Sequence, residues 1–182
     1  MVKRRQPPTA QSREQQLQEI WDQLPTITCQ GLCADSCCSM WQTTLEQQII
    51  QRRTGRTLPL IHAGSPCTAL TILRRCSIYE HRPLICRLWG MTASMRCDYG
   101  CIPEGGFLTD RQAYELIAQV AELAGDHEGA EQIRAPFRRN PEAVERFLRA
   151  QQKNRDLDWH ARATRPDALQ VLPGGQLERR NR

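Results

Sequence analysis

The chain has 182 residues, a formal net charge of +5 from 25 Lys and Arg against 20 Asp and Glu, 40% hydrophobic residues and a mean hydropathy of -0.60. That size and composition suit one soluble globular body and exclude a multidomain machine or a disordered chain. A membrane span is excluded as well, because the longest uncharged stretch, 57–73, is broken by Pro59, Gly64 and Pro66 and cannot form an apolar helix of about 20 residues.

Residues 1–11 carry Pro7, Pro8 and nothing periodic, and read as a flexible basic arm. No apolar run follows its positive start, so the expected location is the reducing cytoplasm. Ser12 and Gln15 have capping-box spacing, and Leu17, Ile20, Trp21 and Leu24 mark one face of a helix that Pro25 ends. A turn-rich segment, 26–40, carries four thiols. A second amphipathic stretch then runs from about Ser39 to Arg53, with Trp41, Leu45 and Ile49 spaced by four and Gly55 placed to stop it. The runs 57–62 and 67–73 are short and β-branched or aliphatic, and predict two small strands. Pro83 opens a short helix through Leu88. Thr109 and Gln112 begin another helix with Ala113, Leu116, Ile117 and Val120 on its buried face and Gly125 at its end. Asn140 and Pro141 start the last, with a stripe of Val144, Phe147 and Leu148, reaching about Lys153. Trp21, Trp41 and Trp89 are expected in the core.

The predicted architecture is mainly α with a small β element: a single compact domain over 12–160, with helices around an irregular cysteine-rich centre, followed by a disordered tail over 161–182. Nine cysteines, all between Cys29 and Cys101, read first as metal ligation, because crowded thiolates repel one another and resist burial unless a cation neutralises them. The disulfide alternative leaves one thiol over and needs an oxidising compartment.

The first group, Cys29, Cys33, Cys37 and Cys38, would lie down one face if helical and in successive turns otherwise. The second group, Cys67, Cys76 and Cys86, is spaced too widely for a local knuckle and has to be assembled by the fold. Arg82 and Arg87 flank its last member and suit a site that carries net negative charge. Cys97 and Cys101 form a third pair, open to ligation or to burial as plain thiols. The counts permit two four-cysteine sites with one thiol over, or one cluster with spectators. His62 and His81 lie within the cysteine region and are alternative ligands; His127 and His160 lie outside it. Gly105 and Gly106 form a linker or an anion cradle. No dinucleotide, P-loop, hydrolase or zinc-protease motif occurs.

The segments Cys29–Cys38 and CSIYEHRPLICR (Cys76–Arg87) resemble the YkgJ-type cysteine-cluster proteins of the CxxCxxCC family, which are linked with zinc or iron chelation. Both gaps in the first motif are three residues here, where the family usually has two. The resemblance covers 27–90 and implies Cys29, Cys33, Cys37, Cys38, Cys67, Cys76 and Cys86 as ligands. Together with Cys97 and Cys101, these make the candidate set for zinc or iron, with an iron-sulfur cluster among the alternatives. The expected function is metal binding, at least structural, with the metal ion as partner and no membrane. Two alternatives stand beside it. One is an enzyme using the cluster in redox or group transfer, since a flagellin lysine N-methylase is similar to this family in its cysteine motif. The other is a zinc-stapled adaptor for nucleic acid or protein, motivated by the Arg-rich ends.

Overall fold

Leu17, Ile20 and Trp21 are all buried, and the spacing that marked them as one helical face is realised on α1, Ala10–Asp22. The computed structural model describes residues 10–28, 41–59, 67–73, 75–97, 100–163, 170–171 and 177–178. The helix begins at Ala10, ahead of Ser12, so Ser12 sits inside the first turn and does not cap it.

The second helix, α2 (Thr44–Thr54), starts later than its periodicity suggested because Thr43 is the N-cap. The Thr43 side chain accepts from the Glu46 amide while the Glu46 carboxylate accepts from the Thr43 amide. Gly55 closes the helix at φ 69, a left-handed value that strains any residue with a Cβ. Trp41 precedes the cap, lies off the helical face and is 41% exposed, which corrects its placement in the core. Trp89 is half-buried.

Between α2 and the next regular element the expected strand pair is not formed among the described residues; Leu70 and Cys76 share an isolated bridge and nothing longer. A 3-10 turn at Tyr79–His81 leads through Pro83 into α3, Leu84–Leu88. Then follow α4 (Asp110–Leu123), capped by Thr109 with Gln112 as expected, α5 (His127–Arg139) and α6 (Pro141–Ala163). The α5 helix has no counterpart in the sequence reading. The α6 helix extends well past Lys153, and Phe147 on its expected stripe is 59% exposed while Leu148 is buried. Gln170–Val171 and Leu177–Glu178 pair as two-residue antiparallel strands, β1 and β2. The fold is mainly helical, as predicted.

The central element is α4, which packs against α1, α3 and α5. Leu17, Ile20 and Trp21 of α1, Leu45 and Ile49 of α2, Leu84 and Leu88 of α3, and Ala113, Leu116 and Val120 of α4 form the main core. Ala118 and Ala121 meet Ala130 of α5, and these small side chains bring the two helices close. A second, smaller core of Ile50, Ala69 and Ile78 lies beside α2, with Leu58, Cys67 and Cys76 packed on it. Thus α2 is a wall shared by the helical core and the thiol region. Glu14 of α1 ties to the end of that wall, accepting from Arg52 at 3.0 Å and Arg53 Nε at 2.9 Å.

Candidate metal centre

Cys67 and Cys76 are brought together by a closed loop. The Leu70 amide donates to Cys67 O at 3.1 Å, the Thr71 amide to Arg75 O at 2.9 Å, and both the amide and the hydroxyl of Ser77 to Ala69 O at 2.8 Å. The result sets both thiols, each half-buried, against Ile50, Ala69 and Ile78. The third member of the group arrives from α3. Leu84 and Leu88 anchor that single turn of helix in the main core, and Cys86 lies between them, also half-buried.

Cys76 and Cys86 each respond to neighbouring thiols. Burial pushes the Cys76 thiol up, with Cys67 adding to the effect and Arg82 opposing it. Burial pushes the Cys86 thiol up to about 12; Cys67, Cys76 and Glu46 raise it further, while Arg82 lowers it. Residues distant in sequence therefore share one electrostatic neighbourhood, as the wide spacing of the second cysteine group required.

The flanking arginines divide their roles. Arg82 favours the charged form of Cys76 and Cys86, and its guanidinium carbon lies 4.0 Å from the Tyr79 ring centroid. Arg87 turns to the chain behind the thiols: its Nε donates to Arg82 O at 2.9 Å, an Nη donates to Glu80 O, and its guanidinium carbon lies 4.1 Å from the Trp21 ring centroid. Burial is the main influence holding the Arg87 pKa below its ordinary value. It fastens the Glu80–Arg82 turn to α1, which fixes the path into α3.

Glu46 was not among the predicted site residues. It is 1% exposed, and its Oε1 accepts from the Leu84 amide at 2.7 Å at the start of the helix that carries Cys86. Its sequence signal was the T-x-x-E spacing of Thr43 and Glu46, hidden because the helical stretch was read as starting at Ser39.

Cys97 and Cys101 are buried, and the Gly100 amide donates to Cys97 O at 3.1 Å across the turn between them. Gly90 makes room for this packing at φ 87, where a Cβ would come within 3.2 Å of Ile27 Cδ1 and 3.6 Å of Cys97 Cβ. The Glu104 amide donates to Thr26 O at 2.8 Å. Cys29, Cys33, Cys37, Cys38 and His62 lie outside the described residues. His81 is in the 3-10 turn, and its Nδ1 is buried without a hydrogen-bond partner. His127 opens α5 and His160 lies on α6. Gly105 and Gly106 form an exposed turn at φ 77 and 95. Cys67, Cys76, Cys86 and Cys101 are free thiols. Among the described residues, no group of three or more His, Cys, Asp or Glu could hold a metal ion by itself.

Residues 28–102 match the model of the CxxCxxCC family, described as "Putative zinc- or iron-chelating domain". This segment is similar to the domain that the family model describes. It spans all nine cysteines, together with α2, α3 and the loop between Cys67 and Cys76. No curated protein and no solved structure matches the chain.

The family description supports zinc or iron binding, and thiolate is a donor that both metals take. Burial pushes the Cys76 and Cys86 thiols up and so favours their neutral form. A zinc or iron ion would accept their thiolate form and neutralise the charge that otherwise keeps it out of the interior. No helix of the described residues is long and apolar enough to cross a membrane.

Proposed function

We propose that the CxxCxxCC domain holds zinc or iron on thiolates drawn from Cys29, Cys33, Cys37, Cys38, Cys67, Cys76, Cys86, Cys97 and Cys101, and that the metal is part of the folding free energy. The observation that carries this reading is that Cys67 and Cys76 pack together on the small core beside α2 while Cys86 of α3 lies close enough for both to act on it. Arg82 offsets the negative charge of a thiolate-bound divalent ion, and Arg87 holds the turn that delivers it.

The described chain on either side of the first cysteine group supports its joining the others. On one side, Ile27 lies close to Gly90 and Cys97. On the other, Gln42 Nε2 donates to Leu58 O at 2.7 Å, and Leu58 packs with Cys67 and Cys76. Ile27 and Gln42 thus each lie near a place that holds described thiols. Seven to nine cysteines exceed the four that a tetrahedral ion or one iron-sulfur cluster takes, so the set is enough for two such sites only if eight of the nine ligate.

Elemental analysis and a visible absorption spectrum of the chain purified without oxygen test the proposal and separate zinc from iron-sulfur. The expected result is stoichiometric zinc or iron, sharply reduced in both Cys76→Ser and Cys86→Ser, with loss of solubility. A wild-type chain that takes up neither metal, or stable variants that retain the full metal content, would refute it.

A further inference from the structure

Two capping boxes with the same local geometry occur among the described residues, and the difference between them is informative. At α4, Gln112 is exposed, and its Oε1 accepts from both the amide and the hydroxyl of Thr109 at 2.9 Å. At α2, one oxygen of Glu46 does the same work: Oε2 accepts from the Thr43 amide at 2.8 Å and from its hydroxyl at 2.9 Å. The cap is complete with that oxygen alone. The other, Oε1, crosses to a separate element and accepts from the Leu84 amide at 2.7 Å.

Capping therefore does not explain why this side chain is buried and carries a second acceptor. What the second oxygen does supply is a fixed distance between α2 and the start of α3. The Ile50 side of α2 is the wall on which Cys67 and Cys76 pack, and α3 carries Cys86. The Leu84 hydrogen bond thus links the surface under two of the thiols to the element bearing the third.

We infer that Glu46 is a positioning residue of the thiol centre, holding Cys86 in register with Cys67 and Cys76 through the Leu84 amide. The inference rests on the metal-binding reading and adds to it a residue that touches no metal. Its signature is dependence on reach and indifference to charge. Glu46→Gln removes the charge and leaves one side-chain oxygen, which reaches Leu84 only with the NH2 turned to Thr43, where it cannot accept from the Thr43 amide. Glu46→Asp keeps the charge and withdraws the oxygen by one methylene. Thr43→Ala removes the cap hydroxyl and leaves the Leu84 bond in place.

The experiment measures zinc affinity of the reduced, metal-free wild-type chain and the three variants by competition with a chromophoric chelator. Cobalt(II) absorption reports ligand geometry, and thermal unfolding reports stability. Glu46→Asp is expected to weaken zinc binding by about 10–100-fold and to alter the cobalt spectrum, the range usual for partners that orient metal ligands. Glu46→Gln is expected to stay within about threefold of wild type in zinc affinity and, like Thr43→Ala, to unfold at lower temperature, since its one oxygen serves Leu84 and its NH2 cannot accept from the Thr43 amide. Thr43→Ala should unfold at lower temperature with zinc affinity unchanged. Equal affinity for wild type and Glu46→Asp, or a loss in Glu46→Gln that matches or exceeds that in Glu46→Asp, overturns the inference. Failure of Glu46→Asp to fold even with zinc would make Glu46 a strut of the whole fold and would also overturn it. A wild-type chain that binds neither zinc nor cobalt defeats the metal-binding reading itself, whereas the other outcomes are measured on a chain that binds.

Discussion

Raising the pH should have opposite effects on the metal-loaded and metal-free chains, and the thiol environments set the sign of each. Cys86 is pushed up to about 12 by burial and by its neighbours, and Cys76 is raised by the same causes. At neutral pH a thiol titrating near 12 is ionised in roughly one molecule in 10^5. A metal takes the thiolate, so each of these two thiols releases a proton on binding. Apparent affinity should then rise about tenfold per pH unit for each, hence about 10^4-fold for the pair from pH 6 to pH 8. For the metal-free chain the sign reverses. The folded state keeps its thiol protons to a higher pH than the unfolded chain, whose cysteines titrate near 8.5. Stability is therefore fully present below that value. It falls as pH rises toward the folded values, by at most about 1.4 kcal/mol per pH unit for each thiol. Competition titrations with zinc at pH 6, 7 and 8 check the first part, and urea unfolding of the reduced, metal-free chain from pH 8 to 10.5 checks the second. Cys86→Ala isolates the residue by removing one proton from the zinc dependence and shallowing the alkaline loss. A zinc affinity independent of pH, or a metal-free chain that gains stability above pH 9 relative to Cys86→Ala, would refute the reasoning.

Leu17 is 0% exposed where α1, α2, α3 and α4 meet, so Leu17→Ala should destabilise the chain by about 2–5 kcal/mol in urea unfolding. Arg134 of α5 bridges two carboxylates of α4, with Nη2 2.8 Å from Glu115 and Nη1 2.8 Å from Glu122. Arg134→Met should cost about 1 kcal/mol at low salt and less at high salt. Arg134 holds the Glu115 carboxyl below its usual range, so the difference should be present at neutral pH and vanish as pH falls through the carboxylate range.

The helices legible in the sequence were those with both a capping signal and a broad apolar stripe. Thr109 with Gln112 and Asn140 with Pro141 stand where expected; the Gln112 amide donates to Thr109 Oγ1 at 3.2 Å and the Ala143 amide to Asn140 Oδ1 at 3.1 Å. The α5 helix escaped notice because Gly129 and Pro136 interrupt its pattern and its buried contact with α4 is made by Ala130, which carries almost no apolar signal. The strand reading of 67–73 failed for another reason. Side chains close the backbone locally: the Thr71 hydroxyl accepts from the Arg75 amide at 3.2 Å and the Ser77 hydroxyl donates to Ala69 O at 2.8 Å, and the loop is too short for a ladder beyond one bridge. At the centre, spacing alone showed that Cys67, Cys76 and Cys86 had to be joined by the fold. It could not show which buried acceptor joins them, because the bond from Leu84 to Glu46 links residues 38 positions apart and depends on how α2 and α3 meet.

The three described thiols of the second group are supported unequally. Cys86 sits between Leu84 and Leu88, whose side chains belong to the main core and whose burial does not depend on any ion. Cys67 and Cys76 rest on Ile50, Ala69 and Ile78, a patch with far less apolar surface. Since hydrophobic stabilisation scales with the apolar area removed from water, the loop bearing Cys67 and Cys76 is held more weakly than the helix bearing Cys86. Fixing a loop that is weakly held carries an entropy cost that its own packing only partly offsets. A metal spanning both supports would therefore contribute most of its stabilisation on the loop side. The Glu46 contact with Leu84 lies on the other side, where the helix provides a preset ligand against which the loop can close.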